Sequence, residues 1–214
     1  MIAVTFALPN ESSDFLHLLR RRNTPVAVLH TGVGEKASRA RIEPFLDARP
    51  FDLLISSGFA GGVDPSLGVG DLLLAENFSD PELLARAHDL LVARVGQLLT
   101  AAGVIESAND RARLARETGA SAVDMETEWI ARACASRKIP MLSLRAISDT
   151  AAAPFPLSPA ILFDLEGQKT NALKLGSHLL KHPSHLVRLI RFARRIAAVR
   201  ETLGAALFEL IGAL

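Results

Sequence analysis

Several short stretches place ionisable side chains where the chain passes from one element to the next. Arg145-Ala146-Ile147-Ser148-Asp149 ends an apolar run with a hydroxyl and a carboxylate. A carboxyl group held at a strand end and partly shielded from water can keep a proton and donate it; a helix cap or turn-forming Asp would use the same residue types. Val123-Asp124-Met125-Glu126 sets two carboxylates around a methionine. Glu126 then falls in a first helical turn, where the helix dipole favours negative charge, and Asp124 has the right type for an N-cap. Glu11, with Ser12 beside it, follows the first apolar run. Two glycine-rich stretches complete the set. His30-Thr31-Gly32-Val33-Gly34-Glu35-Lys36-Ala37 reads as a strand-to-helix turn, suited to close backbone approach and to an anion at Gly32, Gly34 and Lys36. Gly32-x-Gly34-x-x-Ala37 also fits a dinucleotide fingerprint, yet the acid that should end the next strand is misplaced, since Asp52 begins it. Ser56-Ser57-Gly58-Phe59-Ala60-Gly61-Gly62-Val63-Asp64-Pro65 carries almost no side-chain bulk. Such bareness suits a floor for something flat or large; a cluster of β-turns is the plainer alternative.

Positioning these groups requires a repeating strand–helix chain. Apolar runs at 2–8, 25–30, 51–57, 70–76 and 139–147 read as strands, with 104–105 and 120–123 as brief extended pieces. Segments 11–22, 34–48, 81–101, 109–118 and 126–137 have helical patterns, and Gly58 to Gly62 reads as a turn. Strands that are apolar throughout and separated by helices predict an α/β fold: a single domain with a mostly parallel, mixed sheet flanked by helices. Ligands of such sheets bind beyond the carboxyl ends of strands, which is where all five polar groups fall.

The 49% hydrophobic content is compatible with one globular core in 214 residues, and no stretch is long and uncharged enough to span a bilayer. The first eight residues read as a strand, not a signal peptide. A lone Cys134 fits inert core and a reducing cytoplasm. A net charge of +1 gives no nucleic-acid signature, but the charge is unevenly spread. From Lys174 onward, Lys174, Lys181, Arg188, Arg191, Arg194, Arg195 and Arg200 face only Glu201 and Glu209. Residues 1–173 therefore read as the α/β domain and 174–214 as a basic, amphipathic, helical C-terminal extension. Leu186, Ile190, Ala193, Ala197, Leu203, Leu207, Leu210 and Leu214 form its apolar stripe. Docking on the domain or on a second subunit is one expectation for that helix; peripheral contact with anionic lipid is the other. His178, His182 and His185 lack a neighbouring carboxylate or cysteine to complete a metal site.

Taken together and in order, the motifs resemble the family of purine nucleoside phosphorylases and methylthioadenosine/S-adenosylhomocysteine nucleosidases, over residues 1–153. Gly32-Val33-Gly34-x-Lys36 is similar to its first glycine loop. The stretch Gly58-x-Ala60-Gly61-Gly62-x-Asp64-Pro65, followed by Gly68-Val69-Gly70-Asp71, is the most specific match. The resemblance implies cleavage of the N-glycosidic bond of a purine nucleoside, adenine by preference, by phosphate or by water and without a cofactor. It makes Asp149 the acid that protonates the base, supported by Ser148 and Arg145, and counts Asp124 with these three among the base-binding residues. Glu126 would bind the ribose hydroxyls with Met125 beneath the sugar, and Glu11 would activate water, with Ser12 as an equally good alignment. Gly58, Phe59, Ala60 and Gly61 would floor the pocket. It also implies a homo-oligomer.

Three departures stand out. Phe59 replaces a small hydroxyl residue, Ser56 replaces the arginine that many phosphorylases carry, and the stretch between Phe78 and Asp124 is short and lacks the usual base-stacking aromatic. Phe155 is the substitute available, unless it packs its own loop. Gly119-Ala120-x-Ala122-Val123-Asp124-Met125-Glu126 and the basic tail look most like the hopanoid-associated phosphorylase group, which implies an adenine nucleoside with a large apolar 5′ substituent. Methylthioadenosine and futalosine types of nucleosidase stay open on the same residues. So do a non-catalytic nucleoside-binding or lipid-surface protein and a dinucleotide-dependent oxidoreductase.

Overall fold

Strands that are apolar on both faces must be covered on both sides, and the chain meets that demand with one mixed sheet between two helical layers. A computed structural model describes residues 1–21, 25–156, 163–164, 169–170 and 184–214. The elements are β1 (Ile2–Phe6), α1 (Pro9–Leu19), β2 (Val26–His30), α2 (Glu35–Asp47), β3 (Leu53–Gly62), β4 (Leu72–Ala75), a 3₁₀ turn (Glu76–Phe78) and α3 (Pro81–Leu90). They continue with β5 (Arg94–Gly96), β6 (Leu98–Thr100), α4 (Ala108–Thr118), β7 (Ala122–Asp124), α5 (Thr127–Ser136) and β8 (Met141–Asp149). A short antiparallel pair, β9 (Phe163–Asp164) and β10 (Lys169–Thr170), and the long helix α6 (Ser184–Ala213) follow.

The main sheet runs β2-β1-β3-β8-β4-β5, with β7 pairing the far end of β3 and β6 pairing β7. Its centre is parallel: β1 beside β2 and β3, and β3 beside β8. β4 is antiparallel to β8, and β7 to β3. Side chains alternate between the faces. Val4, Phe6, Ile55, Leu142 and Leu144 face α1, α3 and α6. Ala3, Leu54 and Met141 face Ile42 and Leu46 of α2 and Ile130 and Ala133 of α5.

The expected sheet and helices are present, with four differences. The predicted helix 81–101 stops at Leu90, because Arg94–Gly96 pairs with β4 and Leu98–Thr100 with β7. Edge positions on a sheet outweigh the weak helical preference of that run. Gly58 to Gly62, read as a turn, continues β3, hydrogen-bonded to β8 and then β7. β8 likewise extends to Asp149, and 104–105 is not a strand. The proposed boundary at 173/174 and residues His178 and His182 lie outside the described residues.

The two halves of α6 differ. Val199, Leu203, Ala206, Leu207, Leu210 and Ile211 are buried in the same core as Val4 and Phe15. Each leucine so placed stabilises the fold by about 1.5–3 kcal/mol. Gly204 sits against α1 so closely that a Cβ there would lie 2.9 Å from the Phe15 backbone nitrogen. This half is thus an integral part of the domain. Further toward its N-terminus, Leu186, Val187 and Ile190 are exposed, alongside Arg188, Arg191 and Arg194.

Candidate active site

β3 has no side chains at Gly58, Gly61 and Gly62, and the charged groups close in on these gaps. Gly58 has φ +148, a conformation that side chains rarely adopt, and a Cβ there would lie 3.3 Å from Glu11 Oε2. Glu11, in the first turn of α1, accepts hydrogen bonds from the backbone N–H of Leu8 (2.9 Å) and of Phe59 (3.2 Å). It is 7% exposed, and burial pushes its carboxyl above the ordinary carboxylate range against the pull of those amides. Ser12 points elsewhere: its hydroxyl donates to Pro9 O (3.1 Å) and meets His30 Nε2 at 2.8 Å. Of the two alignments, the geometry therefore puts Glu11 at the strand.

The second carboxylate comes from the β7–α5 junction. Glu126 Oε1 accepts from the Gly34 N–H (2.7 Å) and Oε2 from the Met125 N–H (3.3 Å). Burial first, then the negative charge of Asp124, raise its pKa to about 8, with Glu11 adding to the effect. Asp124 is held by other partners. It accepts from Thr127 N–H and Oγ1–H, from Thr100 Oγ1–H (2.9 Å) and from Arg145 Nε (3.2 Å). It caps α5 and anchors Arg145 and is fully engaged there, which differs from the base contact expected of it. Arg145, also buried, donates to Ser56 Oγ (2.8 Å) and Thr127 Oγ1, and its charge reaches both Glu11 and Glu126.

Three residues farther along β3, about 10 Å at strand spacing, lies the third carboxylate. The β3–β8 register shifts so that Ala60 faces Ile147 but Gly61 faces Asp149, leaving Ser148 as the extra residue. A bulge re-aims side chains next to it. Ser148 Oγ–H here donates to Asp149 Oδ1 (2.6 Å) and lies 3.3 Å from Ala60 O. Asp149 Oδ2 forms an ion pair with Arg111 of α4, and both side chains are almost completely buried. A Cβ on Gly61 would meet both partners, 3.3 Å from Arg111 Nη1 and 3.4 Å from Asp149 Oδ2.

Glu11, Glu126, Arg145, Gly58, Gly61, Ser148 and Asp149 are thus gathered along β3, with Phe59 and Ala60 between its two ends. Met125 lies at the Glu126 end, its methyl 3.9 Å from where a Gly34 Cβ would be. The proposed anion site at the first glycine loop is not formed this way. Gly32 N–H donates to Ala7 O (3.0 Å), Gly34 N–H donates to Glu126, and Lys36 is exposed on α2. Phe155 rests on Phe192 of α6, centroids 5.3 Å apart, and packs its loop. Asp52 is bound to the N-terminal amine, away from the glycine loop. Cys134 is buried core, its thiol pushed up to about 12 by burial. Arg111 was missed: in Asp110-Arg111-Ala112-Arg113 it looks like one more arginine on a solvated helix face.

Residues 76–181 match the phosphorylase superfamily. Just under half of the chain is thus similar to that superfamily. It is 33% identical over 133 residues to a futalosine hydrolase of Streptomyces coelicolor, covering 49% of this chain and 56% of that protein. It is 25% identical over 192 residues to a 5′-methylthioadenosine/S-adenosylhomocysteine nucleosidase of Glaesserella parasuis, covering 72% and 80%. The chain therefore spans a little over half of the first relative and four-fifths of the second. Among solved structures, futalosine hydrolase of Helicobacter pylori superposes with a TM-score of 0.74 at 18% identity, covering 100% of this chain and 97% of that one. The methylthioadenosine/S-adenosylhomocysteine nucleosidase of the same organism, complexed with a substituted pyrrolidin-3-ol, also gives 0.74 at 18% identity, covering 100% and 98%. The fold of these structures thus extends over the whole sheet and its helices.

The raised pKa of Glu126 carries a stability consequence. In the folded chain it keeps its proton to about 8, whereas the unfolded carboxyl loses it near 4.5. Its stabilising share is full below the lower value and drains as pH rises through the higher one. Glu126→Gln should therefore raise the melting temperature relative to wild type at about pH 9, with the gap closing toward about pH 5. Parallel melting curves across that range would contradict the assignment.

Proposed function

We propose that this chain is an enzyme that hydrolyses the N-glycosidic bond of a purine nucleoside, adenine by preference, with no cofactor. The observation that carries the reading is the pairing of buried Glu11 and Glu126 at one end of bare β3 with Asp149 at the other. Glu11 takes a proton from water, and the water oxygen bonds to C1′ of the sugar. The C1′–N bond breaks, its electron pair leaves with the base, and the Asp149 group offsets the charge that develops there by protonating the base. Glu126 holds the ribose hydroxyls, and those contacts tighten as positive charge grows on the sugar.

Water is favoured over phosphate because the groups that would hold an anion are committed. The Gly32 and Gly34 amides donate within the protein, and Ser56 is bound by Arg145. The similarity to a futalosine hydrolase and a nucleosidase points the same way. The resemblance to the hopanoid-associated group adds a large apolar 5′ substituent to the candidate substrates.

Incubation with methylthioadenosine, adenosylhomocysteine, inosine and a 5′-alkyl adenosine, with and without phosphate, tests the reading. Free base should appear without phosphate, and Asp149→Asn should lower its rate by about 10²–10⁴-fold, as loss of a positioned acid or base does. Strict phosphate dependence, or an Asp149→Asn variant at wild-type rate, would contradict it.

The exposed half of α6 supports a second reading. Leu186, Val187 and Ile190 stand beside Arg188, Arg191 and Arg194, the composition of a helix that lies on anionic lipid. Vesicles containing anionic lipid should carry the protein upward in flotation at low salt and release it at high salt; no flotation at low salt removes this contact.

A further inference from the structure

Glu11 and Glu126 are held by two different strand-end loops, and those loops are joined to each other. Phe6 and His30 are partners in the β1–β2 register. Past them, Thr31 N–H donates to Phe6 O (2.8 Å) and Gly32 N–H to Ala7 O (3.0 Å). On one side of this seam Leu8 N–H donates to Glu11, and on the other Gly34 N–H donates to Glu126. His30 ties the seam to the helix that carries Glu11. Its Nε2 lies 2.8 Å from the hydroxyl of Ser12, which is fully buried in the first turn of α1. The one hydroxyl proton is directed at Pro9 O, which assigns the donor role to Nε2–H and leaves the Ser12 oxygen to accept. The half-buried ring leans on Phe6, centroids 6.4 Å apart, and Phe6 leans on Phe15 of α1 at 5.9 Å. Burial first, then the charge of Arg41, lower the pKa of His30 and keep the ring neutral.

The body of α1 is fixed from another direction. Arg200 of α6 donates to Asp14 Oδ2 (2.7 Å) and to Asn10 Oδ1 (2.9 Å), and Phe15 is buried in the core with the α6 leucines. These contacts set α1 against α6. The Ser12–His30 contact sets its first turn against the seam from which Glu126 is also held. We propose that His30 is a positioning residue: through Ser12 it fixes Glu11 relative to Glu126, so that the water activated by one carboxyl group is aimed at the sugar held by the other. His30 itself touches neither the water nor the sugar. Alignment of this kind matters to rate, since a misplacement of about 1 Å can cost about 10²-fold. The inference rests on the hydrolytic reading above, leaves Asp149 as the acid, and adds a residue to the water-activating end of the site.

The test measures kcat and KM of the whole chain on whichever of the four nucleosides above it cleaves, for wild type, His30→Leu, Ser12→Ala, the double variant and His30→Gln, with thermal melts to confirm folding. His30→Leu removes the donor and Ser12→Ala the acceptor of the same contact. Each should lower kcat by about tenfold or more and leave KM close to wild type, because Glu126 keeps its own partners. The double variant should fall no further than the slower single variant, since both changes break one interaction. His30→Gln, whose amide can place an N–H near the position of Nε2–H, should recover most of the lost rate. Losses that multiply in the double variant, a raised KM at constant kcat, or a His30→Gln variant as slow as His30→Leu would overturn the proposal. So would a wild-type kcat in Ser12→Ala, a result readable even if His30→Leu does not fold. Release of no base by the wild-type chain from any of the nucleosides would instead remove the hydrolytic reading, and this inference with it.

Discussion

The site depends on a strand that lacks side chains at three positions, Gly58, Gly61 and Gly62. Between Gly58 and Gly62, β3 leaves room for Glu11 at one end and for the Arg111–Asp149 pair at the other, each within 3.5 Å of where a Cβ would stand. This strand brings three carboxylates and two arginines to one surface. The strand does so because its hydrogen bonds to β8 and β7 hold the glycines extended, despite their high conformational entropy in the unfolded chain. The leucines of α6 pack in one core with Ile55 of that strand and with α1, which carries Glu11.

The electrostatics follow from the same crowding. Glu11, Glu126 and Asp124 share one buried region in which Arg145 is the cation they have in common. Asp124 takes the direct contact with Arg145, and Glu126 carries the cost as a raised pKa. Such a cluster is an expensive way to stabilise a fold, and a site where burial raises the pKa of two neighbouring carboxyl groups is suited to acid–base chemistry. The second cation, Arg111, is kept at the other end, where it pairs with Asp149 and is held by the Ile105 and Gly62 carbonyls.

Much of this was legible in the sequence, for physical reasons. Apolar runs separated by amphipathic segments have few ways to bury both faces, so the parallel centre of the sheet and the helices covering it could be read directly. The strand-end motifs containing Glu126 and Asp149 could be read as well, because chain reversals concentrate polar residues there. The glycine stretch was misread as a turn: glycine is common in turns, and only pairing with β7 and β8 makes it a strand. Residues 91–101 failed for a related reason, since β5 and β6 are three-residue strands that owe their form to their neighbours. Arg111 was invisible, because nothing local distinguishes an arginine that turns inward from Arg113 or Arg116, which do not. The glycine loop at 32–34 has the composition of an anion site, yet its amides are spent on Ala7 and Glu126, partners distant in sequence.

The central claim is that water, activated at Glu11, attacks the sugar carbon while the base leaves toward Asp149. It is tested most directly by running the reaction in ¹⁸O-labelled water and analysing the released sugar by mass spectrometry, with Glu11→Gln alongside. The account predicts one labelled oxygen in the sugar product of the wild-type protein and almost no sugar from the variant. A sugar phosphate without label, or undiminished labelled sugar from Glu11→Gln, would contradict it.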